Sequence, residues 1–222
     1  TDALDSKTTA TYTPTVVAAP TASPDTTSGG VNQTQIKNLI TNDSPASGQS
    51  IASVGLCTSG STITCTTGTT ITNASGTYTV NPATGVVTYV PTSGYTGTPS
   101  PISYVVTDGL GGKAVSTYTP TVIPAPTATD KNTSGVLGAT QTSNLFTGNT
   151  VSGAPYSTPG SLTIGLCTSG TTTSCTTGNT ITNSSGTYTL NPTTGVITYV
   201  PASGYSGAPT PISYVVTDAI GQ

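Results

Sequence analysis

Between residues 76 and 108, apolar and polar side chains alternate with the two-residue period of a β-strand. In Gly76-Thr-Tyr-Thr-Val80, Tyr78 and Val80 share one face; in Val86-Val-Thr-Tyr-Val90, Val87 and Tyr89 share one face of the partner. The connecting Asn81-Pro-Ala-Thr-Gly85 places a proline where a turn wants a preset φ and a glycine where a bulged hairpin wants a positive one. The pattern therefore predicts a hairpin of residues 77–80 with 86–90. A third strand is predicted over residues 102–106, ending at Thr107-Asp108-Gly109. The Gly94-Tyr-Thr-Gly97 segment before it reads as a loop, with Tyr95 expected to plug one end of the core.

The same pattern returns at residues 186–218. The two copies differ at seven positions, all mild: Val80/Leu190, Ala83/Thr193, Val87/Ile197, Thr92/Ala202, Thr96/Ser206, Thr98/Ala208 and Ser100/Thr210. Self-similarity at a long fixed period marks a chain of modules in series. Lys7-Thr-Thr-Ala-Thr-Tyr-Thr-Pro-Thr-Val-Val17 also matches Lys113-Ala-Val-Ser-Thr-Tyr-Thr-Pro-Thr-Val-Ile123, at an offset of 106. Residues 115–123 should be the last strand of the module holding the first hairpin. By that register, residues 1–18 form the last strand of a preceding or neighbouring module. Residues 19–124 form the first repeat, and residues 125–222 a second repeat without its own last strand. Two explanations fit: a window on a long tandem array, or donation of the first strand to a neighbouring molecule's open sheet.

Proline-containing joints at Ala19-Pro20-Thr21 and Pro124-Ala125-Pro126 mark the boundaries and predict short, semi-rigid junctions. Each module is expected to open with a polar turn near Asp25 or Asp130. A strand ending in a turn should follow, at residues 35–44 and 141–150, although Ile36, Leu39 and Ile40 also suit one helical turn. Strands at residues 51–56 and 162–166 lead into the cysteines. The second copy carries four extra residues around 152–159, read as a loop insertion.

Composition narrows the function classes. The 222 residues include 54 Thr, four Lys and seven Asp, with no Arg, Glu, His, Met or Trp. Strand formers dominate and strong helix formers are missing or scarce, so the class is all-β. A net charge of −3 with four dispersed cations offers no basic patch for nucleic acid. No apolar run is long enough to span a membrane as a helix. No leader is visible, and the stretch reads as an excerpt of something longer. Cys57/Cys65 and Cys167/Cys175 recur with one spacing. Two thiolates with no histidine do not complete a tetrahedral metal site, so the preferred reading is one local disulfide per repeat and an oxidising, extracellular setting.

Leu39-Ile-Thr-Asn-Asp43, residues 76–91, Gly94-Tyr-Thr-Gly97 and Tyr104-Val-Val-Thr-Asp-Gly109 together resemble the CshA-type fibril repeat. They are also similar to the Ig-like and cadherin-like repeats of large bacterial surface adhesins. The resemblance covers both copies nearly end to end and implies tandem Ig-like antiparallel β-sandwiches in an extended surface filament. Partners would be neighbouring repeats or like subunits, with any host or environmental ligand held by another domain. The second copy departs from the pattern with Thr147-Gly-Asn149 in place of Asn-Asp, which weakens any binding role for Asp43 in all repeats. A cystine in every repeat is also atypical.

Acid–base and nucleophilic catalysis lean on His, Glu, free Cys or an activated Lys. This chain lacks the first two, its cysteines pair, and no pair of reactive residues recurs at cleft-like spacing, so no enzymatic role is expected. Related adhesin repeats often hold Ca²⁺ through clustered carboxylates. Here Asp2, Asp5, Asp25, Asp108 and Asp130 lie near predicted turns, but without a DxDxD or DxNxD cluster, and turn-forming is the preferred reading. A Lys–Asn isopeptide through Lys7 or Lys113 is weighed against solvent exposure at a strand start, which is preferred. The sequons at Asn32, Asn42, Asn73, Asn132 and Asn183 read first as polar β-surface and second as glycan sites. The expected function is a structural stalk or fibril repeat. Its rival is a β-sandwich that grips a glycan or host protein.

Overall fold

A computed structural model describes residues 7–151, 154–155, 162–170, 172 and 174–222. The first repeat contains β1 (Asp25–Gly30), β2 (Gln35–Asn38), β3 (Ile51–Ser59), β4 (Thr66–Gly68), β5 (Thr70–Asn73), β6 (Gly76–Val80), β7 (Val86–Pro91), β8 (Ile102–Asp108) and β9 (Lys113–Ile123). The second contains β10 (Gln141–Asn144), β11 (Thr150–Val151), β12 (Ala154–Pro155), β13 (Leu162–Ser169), β14 (Thr176–Gly178), β15 (Thr180–Asn183), β16 (Gly186–Leu190), β17 (Val196–Pro201) and β18 (Tyr214–Asp218). The described residues form no helix. The chain divides into two compact units. One holds the described residues up to Thr27 with Gln35–Val90 and Pro99–Pro120; the other holds Ser28–Thr34, Pro91–Thr98 and the described residues of Thr121–Gln222.

In the first repeat a five-stranded sheet, β1-β9-β8-β3-β4, covers a four-stranded sheet, β2-β7-β6-β5. The predicted hairpin is β6–β7. Asn81 Oδ1 accepts from the backbone N–H groups of Ala83 (3.0 Å) and Thr84 (3.2 Å), and Gly85 takes φ 70°. The alternating faces follow the sequence pattern: Tyr78, Val80, Val87 and Tyr89 are all buried. Between the sheets lies a core of four fully buried tyrosines, Tyr78, Tyr89, Tyr104 and Tyr118, among Leu39, Leu56, Val87 and Val106. The Tyr78 ring lies 4.6 Å from Tyr89 and meets Tyr118 edge-on at 6.2 Å. Such pairs add to the large area each ring buries. The phenols also find partners: Tyr89 donates to Ser75 O at 2.7 Å, and Tyr78 shares a hydrogen bond with Ser75 Oγ at 3.1 Å.

The second repeat reproduces one sheet as β10-β17-β16-β15, with Tyr188 and Tyr199 stacked at 4.5 Å. Its other sheet holds three strands, β14-β13-β18, and β11–β12 form a separate small hairpin. Leu145, Phe146, Leu162, Ile164, Leu166, Tyr188, Leu190, Tyr199 and Val216 make its core. Gly186 is demanded by close approach: a Cβ there would sit 2.3 Å from Val200 O.

Several expectations need correction. Asp25 opens a strand rather than a turn, because β9 lies beside it. Tyr95 is half-buried and is not among the core tyrosines. The Thr-rich run after each cystine forms two further strands that the pattern did not announce. Residues 35–44 and 141–150 do begin as strands, β2 and β10, and not as a helical turn. Of the insertion around 152–159, only Ala154 and Pro155 lie within the described residues.

Candidate functional site

Three features concentrate chemistry or leave it open: a buried ionic cluster, the cystines and one sheet edge. The ionic cluster sits where β1, β2 and β8 converge in the first unit. Asp25 has a fully buried side chain, and its Oδ1 lies 3.1 Å from Lys37 Nζ, whose side chain is 31% exposed. That oxygen takes no hydrogen bond, so the ammonium is its compensation. On the other oxygen, the Tyr104 hydroxyl approaches Asp25 Oδ2 at 3.0 Å and Ser23 O at 2.9 Å, with Asp43 Oδ2 at 3.3 Å. Asp43 Oδ1 in turn accepts from Ser23 N–H at 2.8 Å.

Burial, then the neighbouring charge of Asp25, raises the Asp43 carboxyl above the ordinary range, against the opposing pull of its Ser23 hydrogen bond. Burial, followed by the charges of Asp43 and Asp25, pushes the Tyr104 phenol far above its usual range. The cluster thus holds one compensated carboxylate, one reluctant carboxyl and one phenol that stays neutral. It joins three strands and presents no base beside a nucleophile.

The second repeat keeps the position but changes the chemistry. Lys131 stands at Asp25's place and donates to Thr147 O, and Asn149 stands at Asp43's place. Asn149 Oδ1 accepts from Thr129 N–H at 2.9 Å, and Tyr214 donates to Thr129 O at 2.5 Å. The backbone contacts are therefore kept by an amide instead of a carboxylate. The sequence pointed at Asp25 but missed Lys37 and Tyr104. A lysine on an alternating strand of a chain with only four cations was the available signal.

The other candidate residues are placed as follows. Asp108 Oδ1 accepts from Leu110 N–H (3.0 Å) and Gly112 N–H (2.8 Å), closing the β8–β9 turn, and Asp218 does the same with Ile220 and Gln222. Asp130 is exposed, and Asp2 and Asp5 lie outside the described residues. Among the described residues no three His, Cys, Asp or Glu side chains gather as a metal site. Lys7 and Lys113 are exposed. Of the sequons, Asn73 and Asn183 use Oδ1 to cap the backbone N–H of Ser75 and Ser185, both at 2.9 Å. Asn32 holds Gly94 N–H at 2.9 Å.

Both expected disulfides are present, Cys57–Cys65 and Cys167–Cys175, each spanning a sequence separation of 8. Each sits beside a register shift where β3 meets β4, or β13 meets β14. The bridge ties that irregular ladder shut.

The sheet edge belongs to the second unit. β18 pairs with β13, and among the described residues no strand lies on its other side. In the first repeat the matching edge of β8 is paired with β9. Ile102, Tyr104 and Val105 are consequently buried, whereas Ile212, Tyr214 and Val215 are only partly so. A cavity of about 490 Å³ opens there, lined among others by Leu145, Leu166, Tyr188, Ile212 and Tyr214.

The architecture defines the class: two Ig-like antiparallel β-sandwich repeats in tandem. The surface adhesin CshA repetitive domain matches residues 17–122 and again residues 124–222, and the chain belongs to that family. No curated protein matches the chain. Among solved structures, an I-band fragment I67–I69 of titin is 10% identical, with a TM-score of 0.36, over 91% of this chain and 66% of that one. The N-terminal eight Ig domains of Down Syndrome Cell Adhesion Molecule are 13% identical, with a TM-score of 0.38, over 90% and 27%. Murine CEACAM1b is 12% identical, with a TM-score of 0.27, over 83% and 86%. The chain thus spans only part of these proteins, and likeness at this level carries no argument about function.

Proposed function

We propose that the two repeats are load-bearing modules of an extracellular bacterial adhesin stalk or filament, which sets a binding tip away from the cell. The observation that supports this best is where the copies agree. Residues 76–108 and 186–218 are nearly identical across core hairpins and the strands packed on them, while the polar cluster around Asp25 is rebuilt with different chemistry. A binding surface concentrates its constraint on exposed loops; here the constraint lies in packing. Cystines in each repeat suit an oxidising surface setting. Neighbouring repeats of the same stalk are the partners.

Single-molecule stretching of the chain tests the reading. Each repeat, about 100 residues, should unfold in its own force peak, with about 350 Å of released length at full extension. Reducing agent should add the 8 residues' worth behind each cystine, roughly 29 Å. Absence of resolvable peaks, or saturable binding of the two repeats on a glycan array, would count against a stalk and for the rival ligand-binding module.

A further inference from the structure

We propose that the pairing of β1 with β9 is the clamp that resists extension of the first repeat, and that the Asp25–Lys37 pair latches the strand through which tension enters. This rests on the load-bearing reading above and says where the load is borne.

A chain pulled by its ends loads each folded repeat through that repeat's first and last strands. In the first repeat those two, β1 and β9, are neighbours in one sheet. Three contacts give their relative direction. Ahead of β1, Pro20 lies against Gly112, just ahead of β9: a Cβ on Gly112 would meet Pro20 Cδ at 2.9 Å. Within the strands, Thr27 Oγ1 and the Tyr118 hydroxyl are 2.7 Å apart. Past β1, Val31 N–H donates to Ile123 O at 3.0 Å. Both partners advance together along the chain, which marks a parallel pair; in an antiparallel one the second would fall back as the first advanced. Tension drags β1 towards its start and β9 towards its end, so the two must slide past one another. Sliding strains every rung of the ladder at once, whereas a hairpin pulled open from one end yields rung by rung.

The latch stands at the head of this ladder. Asp25 is the first residue of β1. Its Oδ1 lies 3.1 Å from Lys37 Nζ on β2, a strand of the opposite sheet. Its Oδ2 meets the Tyr104 hydroxyl at 3.0 Å, and Tyr104 is paired with Ser116 of β9. Two residues on, Thr27 Oγ1 also bonds Gln35 on β2. Asp-Thr-Thr-Ser-Gly-Gly is a poor strand by composition and brings little apolar area to the core. What holds β1 is therefore polar, short in reach and directed into both sheets. Contacts of this kind are lost within about 1 Å of sliding, so they resist stiffly and then fail together.

The second repeat keeps the ties ahead of this point. Thr127 and Thr150 exchange backbone hydrogen bonds as Thr21 and Ser44 do, and Thr129 N–H meets Asn149 as Ser23 N–H meets Asp43. The ion pair is not kept, since Lys131 and Ser143 occupy its two positions. Sensitivity at the latch is thus expected of the first repeat only.

The test stretches the full chain at fixed force with Cys57→Ser/Cys65→Ser as background, so that the first repeat is recognised by roughly 29 Å of extra released length. Unfolding under force reads the unfolding rate. Lys37→Met should speed the tagged event about tenfold or more, and Thr27→Val, which removes the hydroxyl, about threefold or more. Neither should change the untagged event. Val80→Ala truncates the core on β6, in the sheet that holds neither β1 nor β9. It should lower the melting temperature yet leave the tagged rate within about twofold. A tagged event that ignores both Lys37→Met and Thr27→Val, or that Val80→Ala speeds as much, would overturn the latch and leave the stalk reading standing. A chain without any force-resistant tagged event would overturn both.

Discussion

Replacing Lys37 by Met isolates the Asp25 carboxylate while keeping an unbranched stem of similar length on β2, so packing along the stem is largely retained. Breaking a fully buried ion pair by removing one partner costs about 3–5 kcal/mol. Asp25 is wholly buried but Lys37 is 31% exposed, so water partly screens the cationic side and about 2 kcal/mol is the better expectation. For a domain of about 100 residues, that corresponds to a fall of roughly 8–16 °C in melting temperature. Calorimetry of the two-repeat chain should show it in one transition only. The second repeat has Lys131 and Ser143 at the two positions, and so lacks the pair. Adding Asp25→Asn to Lys37→Met should recover part of the loss, because a buried amide needs no counter-charge. A shift below about 2 °C, or no relief from the second change, would refute the view that Lys37 compensates a buried charge.

Converting Cys57 and Cys65 to Ser should destabilise the first repeat by about 2.5 kcal/mol on the chain-entropy estimate for so short a loop, measured by urea unfolding. Asp43→Asn should raise the melting temperature at neutral pH and change nothing near pH 3. The folded carboxyl holds its proton more tightly than the unfolded one, so ionisation subtracts stability as pH rises from the ordinary carboxylate range through the raised value. Asn149 marks the same exchange in the second repeat. The Tyr118 phenol is pushed up to about 12, chiefly by burial. Its contribution is therefore intact below pH 10 and lost as pH rises through about 12, and phenolate absorbance should lag behind that of free tyrosine until the repeat unfolds.

The hairpins were legible because each carries its instructions locally: alternation on both arms, and Asn, Pro and Gly between them. Five of the strands that mattered were not. β1 is Asp-Thr-Thr-Ser-Gly-Gly, a run whose own preferences favour a turn, and it is extended only because β9 supplies a ladder from far along the chain. β4 and β5, like β14 and β15, are Thr-rich segments that match solvent-facing loop and edge strand equally well. The ionic cluster shows the same division. Asp25 was visible as an acid at a boundary, but its partners Lys37 and Tyr104 lie 12 and 79 residues away, and only the sheet brings them together. Tyr95 was misjudged in the opposite direction: a local loop motif suggested a plug, while four other tyrosines fill the space between the sheets.

The scarcity of cations has a consequence outside the fold. Proteases that cut after basic side chains find four such bonds in 222 residues. Of these, Lys37 lies within β2 with its head group drawn to Asp25, and Lys113 begins the longest strand of the first repeat. Cleavage needs an extended backbone free to enter an enzyme cleft, and hydrogen-bonded ladders withhold it. For enzymes of that specificity the described strands leave only the bonds after Lys7 and Lys131 outside a ladder.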